Sequence, residues 1–406
     1  MTLFLNIYTI PINRSCSHTY RSRLKDLFRP RSPRQYLGQA PAWTRIARAA
    51  YSTDSASGKS EHSSKMAEKA AKKGPSIPRP SSSVILVSPT NEILLLHRVQ
   101  TSSSFPSAHV FPGGNISPSQ DGECPPPEDP KSHDDAIHYR RAAIRELFEE
   151  SGILLARDRS TGQMVHVDEA ERERGRHAIH REEITFQKWL EEQNSAAEPD
   201  TDALIPFTHW ITPTNLPKRF TTQMYLYFLP VPEESDNKLL LVAQGLPASG
   251  REEIQVQVPT SDGGVEIMEA RFLPACDWLG KARSGEIILF PPQFLLLHLI
   301  SQFLDQEPRQ GASSEQLKRR RSELLEFIHS GSPPWTHKYI CPKSMKLLPD
   351  NRSVLALDSP GPELRGSDKK GEEHRVILVR FSKEGPRNLE VRWKKDILRA
   401  DSKSNL

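Results

Sequence analysis

The sequence predicts an α/β fold, because short apolar strands alternate along the chain with amphipathic helices. Two apolar runs, SVILVS (83–88) and EILLLH (92–97), flank Pro89-Thr90-Asn91, which is the pattern of a β-hairpin. Turn residues separate these two runs from later apolar runs, and we interpret each of these apolar runs as a strand of one sheet. The later strands are predicted in AHVFPGG (108–114), LIPFTHWI (204–211) and TQMYLYFLPV (222–231).

Helices are predicted between these strands from capping residues and apolar periodicity. Ser132 to Asp135 give the S-x-x-D pattern of a capping box, and the helix that follows ends at Gly152. Proline suits a first helical turn, so Pro291-Pro292 open the apolar helix QFLLLHLISQFL. Other helical segments lie at 168–193, in the second half of 266–285, and at 315–328.

Composition divides the chain into five predicted segments. The last one contains short alternating runs such as VILVRF (376–381) and LEVRW (389–393), which indicate a small C-terminal β extension. The segments are a targeting segment (1–53), a small polar linker (54–80), the main domain (81–306), a helical extension (307–330) and a β-rich extension with a tail (331–406).

Positive charge is concentrated at the N-terminus. Residues 1–53 carry nine Lys or Arg and one acid, Asp26, so without them the net charge changes from +4 to about −4. A nucleic-acid binder keeps a basic folded surface, so this class is excluded.

The Arg- and Ser-rich segment predicts a disordered mitochondrial transit peptide. Ser404-Asn405-Leu406 resembles the peroxisomal SKL signal, so a peroxisomal address is the alternative.

Cysteine spacing and hydropathy argue against two further classes. None of the four cysteines forms a CxxC pair, so a zinc ribbon is not expected. No run reaches the roughly 18 apolar residues of a membrane-spanning helix. We therefore expect a protein without a transmembrane segment whose partner is a small molecule.

The stretch RELFEESGI (145–153) carries the strongest chemical signal. Glu146, Glu149 and Glu150 are three and four residues apart, so they share one face near the end of a helix. Such a carboxylate cluster suits a hard divalent cation. The alternative is a surface helix with ordinary ion pairs, which is the commoner reason for a Glu-rich helix.

The surrounding pattern separates these alternatives. RELFEESGI matches the second half of the Nudix box at every defined position, and Gly114 of FPGG (111–114) matches the glycine that opens it. The sequence therefore resembles the Nudix hydrolases. It departs at Gln120, where the family has Glu and where Asp121 follows, and 17 residues are inserted before Arg145. The helix is intact, while the first acidic position is altered.

Flanking segments narrow the resemblance to one branch of the family. SSFPSAHVFPGG (103–114), WITPTNLPKRFTTQMY (210–225) and GEIILFPPQFLLLHLI (285–300) are similar to acyl-coenzyme A diphosphatases of the nucleoside diphosphate-linked moiety X motif 19 type. The resemblance covers about residues 83–305 and implies an α/β/α sandwich with a mixed β-sheet. In that branch an Asp often stands where this chain has Thr221.

The resemblance also implies roles for the motif residues. Arg145 would orient the carboxylates, and the turn at Gly113 and Gly114 would face the substrate. The ligands of Mg²⁺ or Mn²⁺ would be Glu146, Glu149 and Glu150. Arg145, Glu149 and Glu150 form the predicted catalytic set. The general base is left open among Glu149, Glu150, Glu266 and Glu269.

The implied reaction cleaves a pyrophosphate, with coenzyme A or an acyl-coenzyme A as the favoured substrate. Its 3′-phosphate would contact the cations Arg98, Lys218 and Arg219. The alternatives are ADP-ribose, NAD(H) or a capped RNA end, or a degenerate domain that binds nucleotide without cleaving it. Phe220 and Tyr225 are expected in the core rather than stacked on a base.

Overall fold

The strands predicted around Pro89 form the centre of a mixed β-sheet. The computed structural model describes residues 75–100, 106–231, 259–264, 266–308 and 311–404. Its strands are β1 Arg79–Val87, β2 Ile93–Arg98, β3 His109–Val110, β4 Gly113–Asn115, β5 Ala156–Asp158, β6 Ala197–Pro199, β7 Ile205–Ile211, β8 Phe220–Phe228, β9 Ile267–Leu273, β10 Tyr339–Ile340, β11 Lys343–Leu347, β12 Ser353–Leu357, β13 Glu372–Ser382 and β14 Gly385–Trp393.

The helices lie between and after these strands. They are α1 Pro118–Asp121, α2 Ile137–Ser151, α3 Glu169–His180, α4 Phe186–Gln193, α5 Ala275–Ser284, α6 Pro291–Leu304, α7 Ser314–His329 and α8 Lys394–Ser404. Pro291 and Pro292 open α6, and Gly152 ends α2 in the left-handed conformation (φ 72°), both as predicted.

The main sheet has both parallel and antiparallel strand pairs. Its order in the described part is β10-β7-β8-β1-β2-β3, with β4 also beside β1 and β9 also beside β2. β1 runs parallel to β8, and β7 runs parallel to β10, while the other pairs are antiparallel. The predicted mixed α/β sheet is therefore confirmed.

Alternating side chains of the central strands supply two separate cores. On β1, Val84 and Leu86 pack toward α2, α3 and α4, while Ile85 and Val87 pack toward α5, α6 and α7. All four are fully buried, and each such burial contributes about 1.5–3 kcal/mol. The two cores make the predicted α/β/α sandwich, with the sheet as its middle layer.

The C-terminal extension is β-rich, as predicted, and it shares a core with the main domain. Strands β11 to β14 form an antiparallel sheet in chain order. Leu355, Ile377 and Leu389 of this sheet belong to the same buried cluster as α6. β10 also extends the main sheet beside β7. The core is therefore continuous across the predicted boundaries at 306 and 330, which stay predictions.

Two predicted helices differ from the structure. Ser132 lies in a short 3-10 helix, Pro130–His133, and its hydroxyl donates to the carbonyl oxygen of Pro127 at 3.4 Å. The predicted capping box is therefore wrong, and α2 begins five residues later at Ile137. The charged segment 168–193 forms two helices, α3 and α4, because the chain turns at Glu182 with φ 56°.

The predicted targeting segment, residues 1–53, lies outside the described residues, as do residues 54–74 of the predicted linker. β1 begins at Arg79, inside the segment predicted as linker. Among the described helices, none combines the length and apolarity that crossing a bilayer requires.

Gly175 of α3 packs directly against Trp189 of α4, so Gly175→Ala should destabilise the fold. An added Cβ would overlap the indole ring, and Trp189 is buried. Overpacking of this kind costs about 1–3 kcal/mol, which exceeds the gain in helix propensity. The matched control is Gly280→Ala in α5, where a Cβ meets no atom within 4 Å. Thermal unfolding should show a lower Tm for the first variant and an unchanged or higher Tm for the second. A higher Tm for Gly175→Ala would contradict the packing.

Candidate active site

Helix α2 presents its acidic residues on the side opposite its core. Ala143, Ile144, Leu147 and Phe148 are fully buried in the cluster beneath the sheet. The helical period therefore places Glu146, Glu149 and Glu150 together on another face. β4 leads into this region, and Gly152 stops the helix directly after the acidic turn.

Arg145 is the centre of a hydrogen-bond network that fixes these carboxylates. It is only 5% exposed. Its Nη1 donates to Glu146 Oε1 at 2.9 Å and to Glu149 Oε1 at 2.8 Å. Its Nη2 donates to the carbonyl oxygen of Asn115 at 3.0 Å, which ties β4 to the helix. The predicted orienting role of Arg145 matches this geometry.

Asp121, rather than residue 120, supplies the acid that precedes the helix. Arg145 Nε and Nη2 donate to the two oxygens of Asp121 at 2.9 and 2.8 Å, which makes a bidentate ion pair. Asp121 is only 1% exposed. Gln120 instead accepts a bond from the backbone N–H of Phe186 at 2.9 Å. An acid therefore stands one residue after the altered position of the box, at residue 121 instead of residue 120.

The two glycines allow close approach of β4 to β1 and α2. The N–H of Gly113 donates to Glu150 Oε2 at 2.8 Å. A Cβ at Gly113 would overlap the carbonyl oxygen of Ser82, and a Cβ at Gly114 would overlap the carboxylate of Glu146. The predicted turn at these residues therefore contacts the carboxylates directly.

Arg98 joins a second strand to the site. Its Nη1 donates to Glu150 Oε1 at 3.2 Å, and its Nη2 donates to Glu266 Oε2 at 2.8 Å. Glu266 is thereby brought to the site, with its side chain 45% exposed. Glu269 lies away from the site, because its Oε1 is 3.9 Å from Nη1 of Arg271 on β9 and its side chain is exposed. The predicted phosphate contact of Arg98 stays a prediction, since two carboxylates contact its guanidinium in this structure.

Negative charge exceeds positive charge at this site. Asp121, Glu146, Glu149, Glu150 and Glu266 form ion pairs with Arg98 and Arg145, so these seven side chains carry a formal charge of −3 when all are ionised. Burial raises the pKa of Glu146 and Glu150, and their mutual repulsion adds to the effect. The partial negative charge at the C-terminal end of α2 acts in the same direction. A bound cation would relieve this excess.

The donor set fits Mg²⁺ or Mn²⁺ in chemistry, although no cage is preformed. Among the described residues, no three His, Cys, Asp or Glu side chains are arranged to hold a metal ion. Arg145 and Arg98 occupy oxygens of the three glutamates instead. Mg²⁺ requires only one or two carboxylates, because it keeps several waters and binds substrate phosphates. Glu146 and Glu150 could supply these ligands, with Glu149 beside them.

The other predicted phosphate contacts lie elsewhere. Arg219 is 2% exposed, and its guanidinium donates to the carbonyl oxygens of Thr212 and Ser76 at 2.9 and 2.8 Å. It also pairs with Glu363 at 2.6 Å. This buried network argues against the predicted phosphate contact and gives Arg219 a structural role. Lys218 is exposed in the loop between β7 and β8.

Two groups that border the site were missed in the sequence. Arg176 of α3 is 2% exposed, and its Nε and Nη2 donate to the carbonyl oxygen of Glu149 at 3.1 and 3.0 Å. It therefore caps the end of α2, which has no basic residue in its last turn. His180 lies 3.5 Å from Glu149 Oε2. Only the packing of α3 on α2 reveals these contacts, because nothing in the local pattern relates them to the box.

The remaining polar and aromatic candidates are structural. Tyr225 is fully buried, and its hydroxyl donates to Asp135 Oδ1 at 2.5 Å, which confirms the expected core position. Thr221 is also buried, with its hydroxyl 2.7 Å from His133 Nδ1 and 2.5 Å from His209 Nε2. Thr221 therefore completes a neutral polar network in which an acid would be desolvated.

Comparison with known proteins agrees with this site. Residues 127–243 match the family model of the NUDT19 Nudix domain. A Caenorhabditis elegans relative named "Putative nudix hydrolase 7" is 27% identical over 228 residues, which are 56% of this chain and 62% of the relative. The match thus spans less than two thirds of that relative's length. A Nudix hydrolase structure from Alicyclobacillus acidocaldarius is 21% identical and covers 58% of this chain and 96% of its own, with a TM-score of 0.42.

The matched model, the curated relative and the box on α2 all indicate the same likeness, which is to the Nudix hydrolases. Within that family, the matched model is of the NUDT19 type.

Loss of the charge on Asp121 should destabilise the protein. Asp121→Asn weakens two buried hydrogen bonds to Arg145, and bonds to charged groups contribute about 1.5–3 kcal/mol. We expect the free energy of unfolding in urea to fall by about 2 kcal/mol. The control is Asp202→Asn, an exposed aspartate, which should change it by less than about 0.5 kcal/mol. Equal values for the two variants would show that the Asp121–Arg145 pair does not stabilise the fold.

The raised pKa values predict how stability depends on pH without metal. The folded-state pKa is about 7 for Glu146 and about 8 for Glu150, above the unfolded value of about 4.3. The folded state therefore binds more protons, and this contribution is lost as pH rises from about 5 to 8. The Tm of wild type should fall relative to that of Glu150→Gln over this range. The difference between the two proteins reports Glu150 together with its effect on the neighbouring Glu146. A constant difference would contradict the raised pKa.

Proposed function

We propose that this protein is a metal-dependent hydrolase of nucleoside diphosphate-linked substrates. The observation that carries the proposal is the buried carboxylate cluster on α2, held by Arg145 and carrying excess negative charge. A structural helix gains nothing from carboxylates that repel one another at its C-terminal end. A site that binds a divalent cation does, because the cation offsets the repulsion and can then hold the oxygens of a pyrophosphate.

Each residue of the cluster would have a defined part in the reaction. When bound, Mg²⁺ or Mn²⁺ would neutralise the pyrophosphate and polarise its phosphorus for attack by water. Glu146 and Glu150 would hold the ion. Arg145 would keep Glu146 and Glu149 in place through bonds of 2.9 and 2.8 Å. The N–H of Gly113, bonded to Glu150 in this structure, lies where the β4 turn meets the helix.

The proton of the attacking water would pass to a carboxylate of the same cluster. Glu149 is held by Arg145, and Glu150 is held by Gly113 and Arg98. Glu266 is 45% exposed and shares Arg98 with Glu150. Glu149, Glu150 and Glu266 are therefore the candidate proton acceptors, and Glu269 is not, because it lies away from Arg98.

For the substrate, we propose coenzyme A or an acyl-coenzyme A, cleaved to 3′,5′-ADP and a phosphopantetheine. Two findings support this choice: the match of residues 127–243 to the NUDT19 Nudix domain, and the similarity of residues 103–114, 210–225 and 285–300 to that branch. Arg98, which borders the cluster, stays a proposed cation for the 3′-phosphate, and Lys218 is exposed in the loop before β8, outside the cluster. Arg219 has no such role, because its guanidinium is buried.

We further propose that residues 1–53 direct the protein to the mitochondrion, with the peroxisome as the alternative destination. A fluorescent fusion at the C-terminus that lacks residues 1–53 should lose its mitochondrial signal. An unchanged signal would contradict the proposal.

The first test of function is hydrolysis by the full chain. Wild type with Mg²⁺ should convert coenzyme A to 3′,5′-ADP, measured by chromatography beside ADP-ribose, NADH and a capped RNA. Glu150→Gln should lower kcat at least about a hundredfold, because it removes both a metal ligand and a proton acceptor. The control Glu192→Gln changes an exposed glutamate on α4 and should not alter kcat. Chelation by EDTA should abolish cleavage, and added Mg²⁺ or Mn²⁺ should restore it.

The possible results separate the proposals. Cleavage of another nucleotide, with the same loss in Glu150→Gln, would keep the hydrolase site and refute the coenzyme A substrate. Nucleotide binding without any cleavage would make the chain a binding protein and refute the hydrolase proposal.

A further inference from the structure

A second cavity lies away from α2, between the loop after β7 and the C-terminal extension. Its volume is about 630 Å³, which is within the range of small-molecule sites. The loop contributes residues 213–215, and the extension contributes residues between 341 and 369. None of Glu146, Glu149 and Glu150 lines it. We call it the extension cavity.

The lining of the extension cavity is positively charged. Lys343, Arg365 and Lys369 line it, and the described lining residues include no Asp or Glu, although Asp134 and Glu363 lie behind the lining. Several Ser, Thr and Asn side chains add hydrogen-bonding groups. A protein that is close to neutral overall has three cations and no acid here, so the cavity is complementary to an anion with more than one charge.

Two of these cations have no carboxylate partner among the described residues. Neither Lys343 nor Arg365 takes part in a described ion pair or side-chain hydrogen bond, and both are exposed. Lys369 pairs with Asp134 at 3.1 Å and lies 4.7 Å from the ring centroid of Tyr339. A dianion in the cavity would therefore gain two cations without breaking an existing pair.

The rest of the lining is aliphatic and contains no aromatic ring. Leu355, Leu364 and four prolines supply its apolar surface. An aromatic ring is the usual platform on which a nucleobase stacks, and the one guanidinium of the lining, that of Arg365, is suited to a phosphate. An alkyl or amide chain instead packs on prolines and leucines. The lining thus favours a phosphate on an aliphatic chain over a phosphate on a nucleoside.

The walls of the cavity are fixed by one bond to the main domain and by another within the extension. Glu363 pairs with the buried Arg219 at 2.6 Å, and the N–H of Cys341 donates to the carbonyl oxygen of Ser359 at 2.7 Å. Burial raises the pKa of the Cys341 thiol to about 11, so this thiol is neutral at pH 7. The cavity is therefore preformed for binding and lacks an activated nucleophile.

We propose that the extension cavity binds a phosphate monoester carried on an aliphatic chain. Lys343 and Arg365 bind the phosphate, and the leucines and prolines contact the chain. 4′-Phosphopantetheine has this chemistry. Its choice as the ligand rests on the proposed function, because it is a product of the proposed hydrolysis of coenzyme A. The site is distinct from the carboxylate cluster: Lys369 contacts Asp134 before the start of α2, and roughly 14 Å of helix separates Ile137 from Glu146.

The test is calorimetric titration of the full-length Glu150→Gln variant with four probes. 4′-Phosphopantetheine contains both phosphate and chain, pantetheine lacks the phosphate, inorganic phosphate lacks the chain, and 3′,5′-ADP carries a nucleoside instead. We expect 4′-phosphopantetheine to bind at least about tenfold more tightly than each of the others, because only it uses both parts of the cavity.

Variants test whether 4′-phosphopantetheine binds in the extension cavity. Lys343→Gln combined with Arg365→Gln should weaken 4′-phosphopantetheine at least about tenfold. The single charge reversal Lys343→Glu, whose residue is exposed, should weaken it further than Lys343→Gln. The matched control, Lys318→Gln with Arg319→Gln, removes an exposed Lys and Arg of α7 outside the cavity and should leave binding unchanged. Unfolding curves of all variants confirm that each is folded.

Three results would overturn the proposal: no binding of 4′-phosphopantetheine, binding that persists in the double variant, or tighter binding of 3′,5′-ADP or inorganic phosphate that the double variant removes. Hydrolysis by wild type, measured in parallel, reports on the proposed function separately. Failure to cleave coenzyme A with binding intact would refute only the proposed substrate, and cleavage with no binding would refute only the second site.

Discussion

The guanidinium of Arg145 contacts α1 through Asp121, β4 through the carbonyl oxygen of Asn115, and two carboxylates of its own helix. Because it is buried, each of its donors has an acceptor at a fixed position, and loss of any partner would leave a desolvated charge. This one side chain therefore determines where the inserted segment meets the helix and where Glu146 and Glu149 point.

The carboxylates around Arg145 are in an electrostatically unfavourable position. They lie near the C-terminal end of α2, where the helix dipole repels anions, and the surrounding core excludes water from Glu150. Arg98 and Arg145 offset part of the repulsion. Proteins retain such strain where binding relieves it, and a divalent cation with a pyrophosphate is the ligand whose charge and oxygen preference fit the proposed reaction.

The C-terminal extension is part of the same folded body as the main domain. Its sheet contributes Leu355 and Ile377 to the core that covers α6, and β10 adds a strand to the main sheet. Its segment 359–367 is held to β8 by the pair of Glu363 with Arg219. The extension therefore stabilises the domain and, in our proposal, also gives it a second small-molecule site.

Local sequence patterns determined the type and approximate bounds of most elements. The hairpin around Pro89, the helix that ends at Gly152 and the helix opened by Pro291 were all predictable, because turn chemistry and apolar period act over a few residues. The face shared by Glu146, Glu149 and Glu150 followed from the helical repeat alone.

Only tertiary structure decided that Asp121 replaces the acid expected at position 120, and that Arg98 and Glu266 join the cluster while Arg219 is buried elsewhere. The contacts of Asp121 and Glu266 join residues 24 and 168 positions apart, and they depend on how strands and helices pack, which no local pattern encodes.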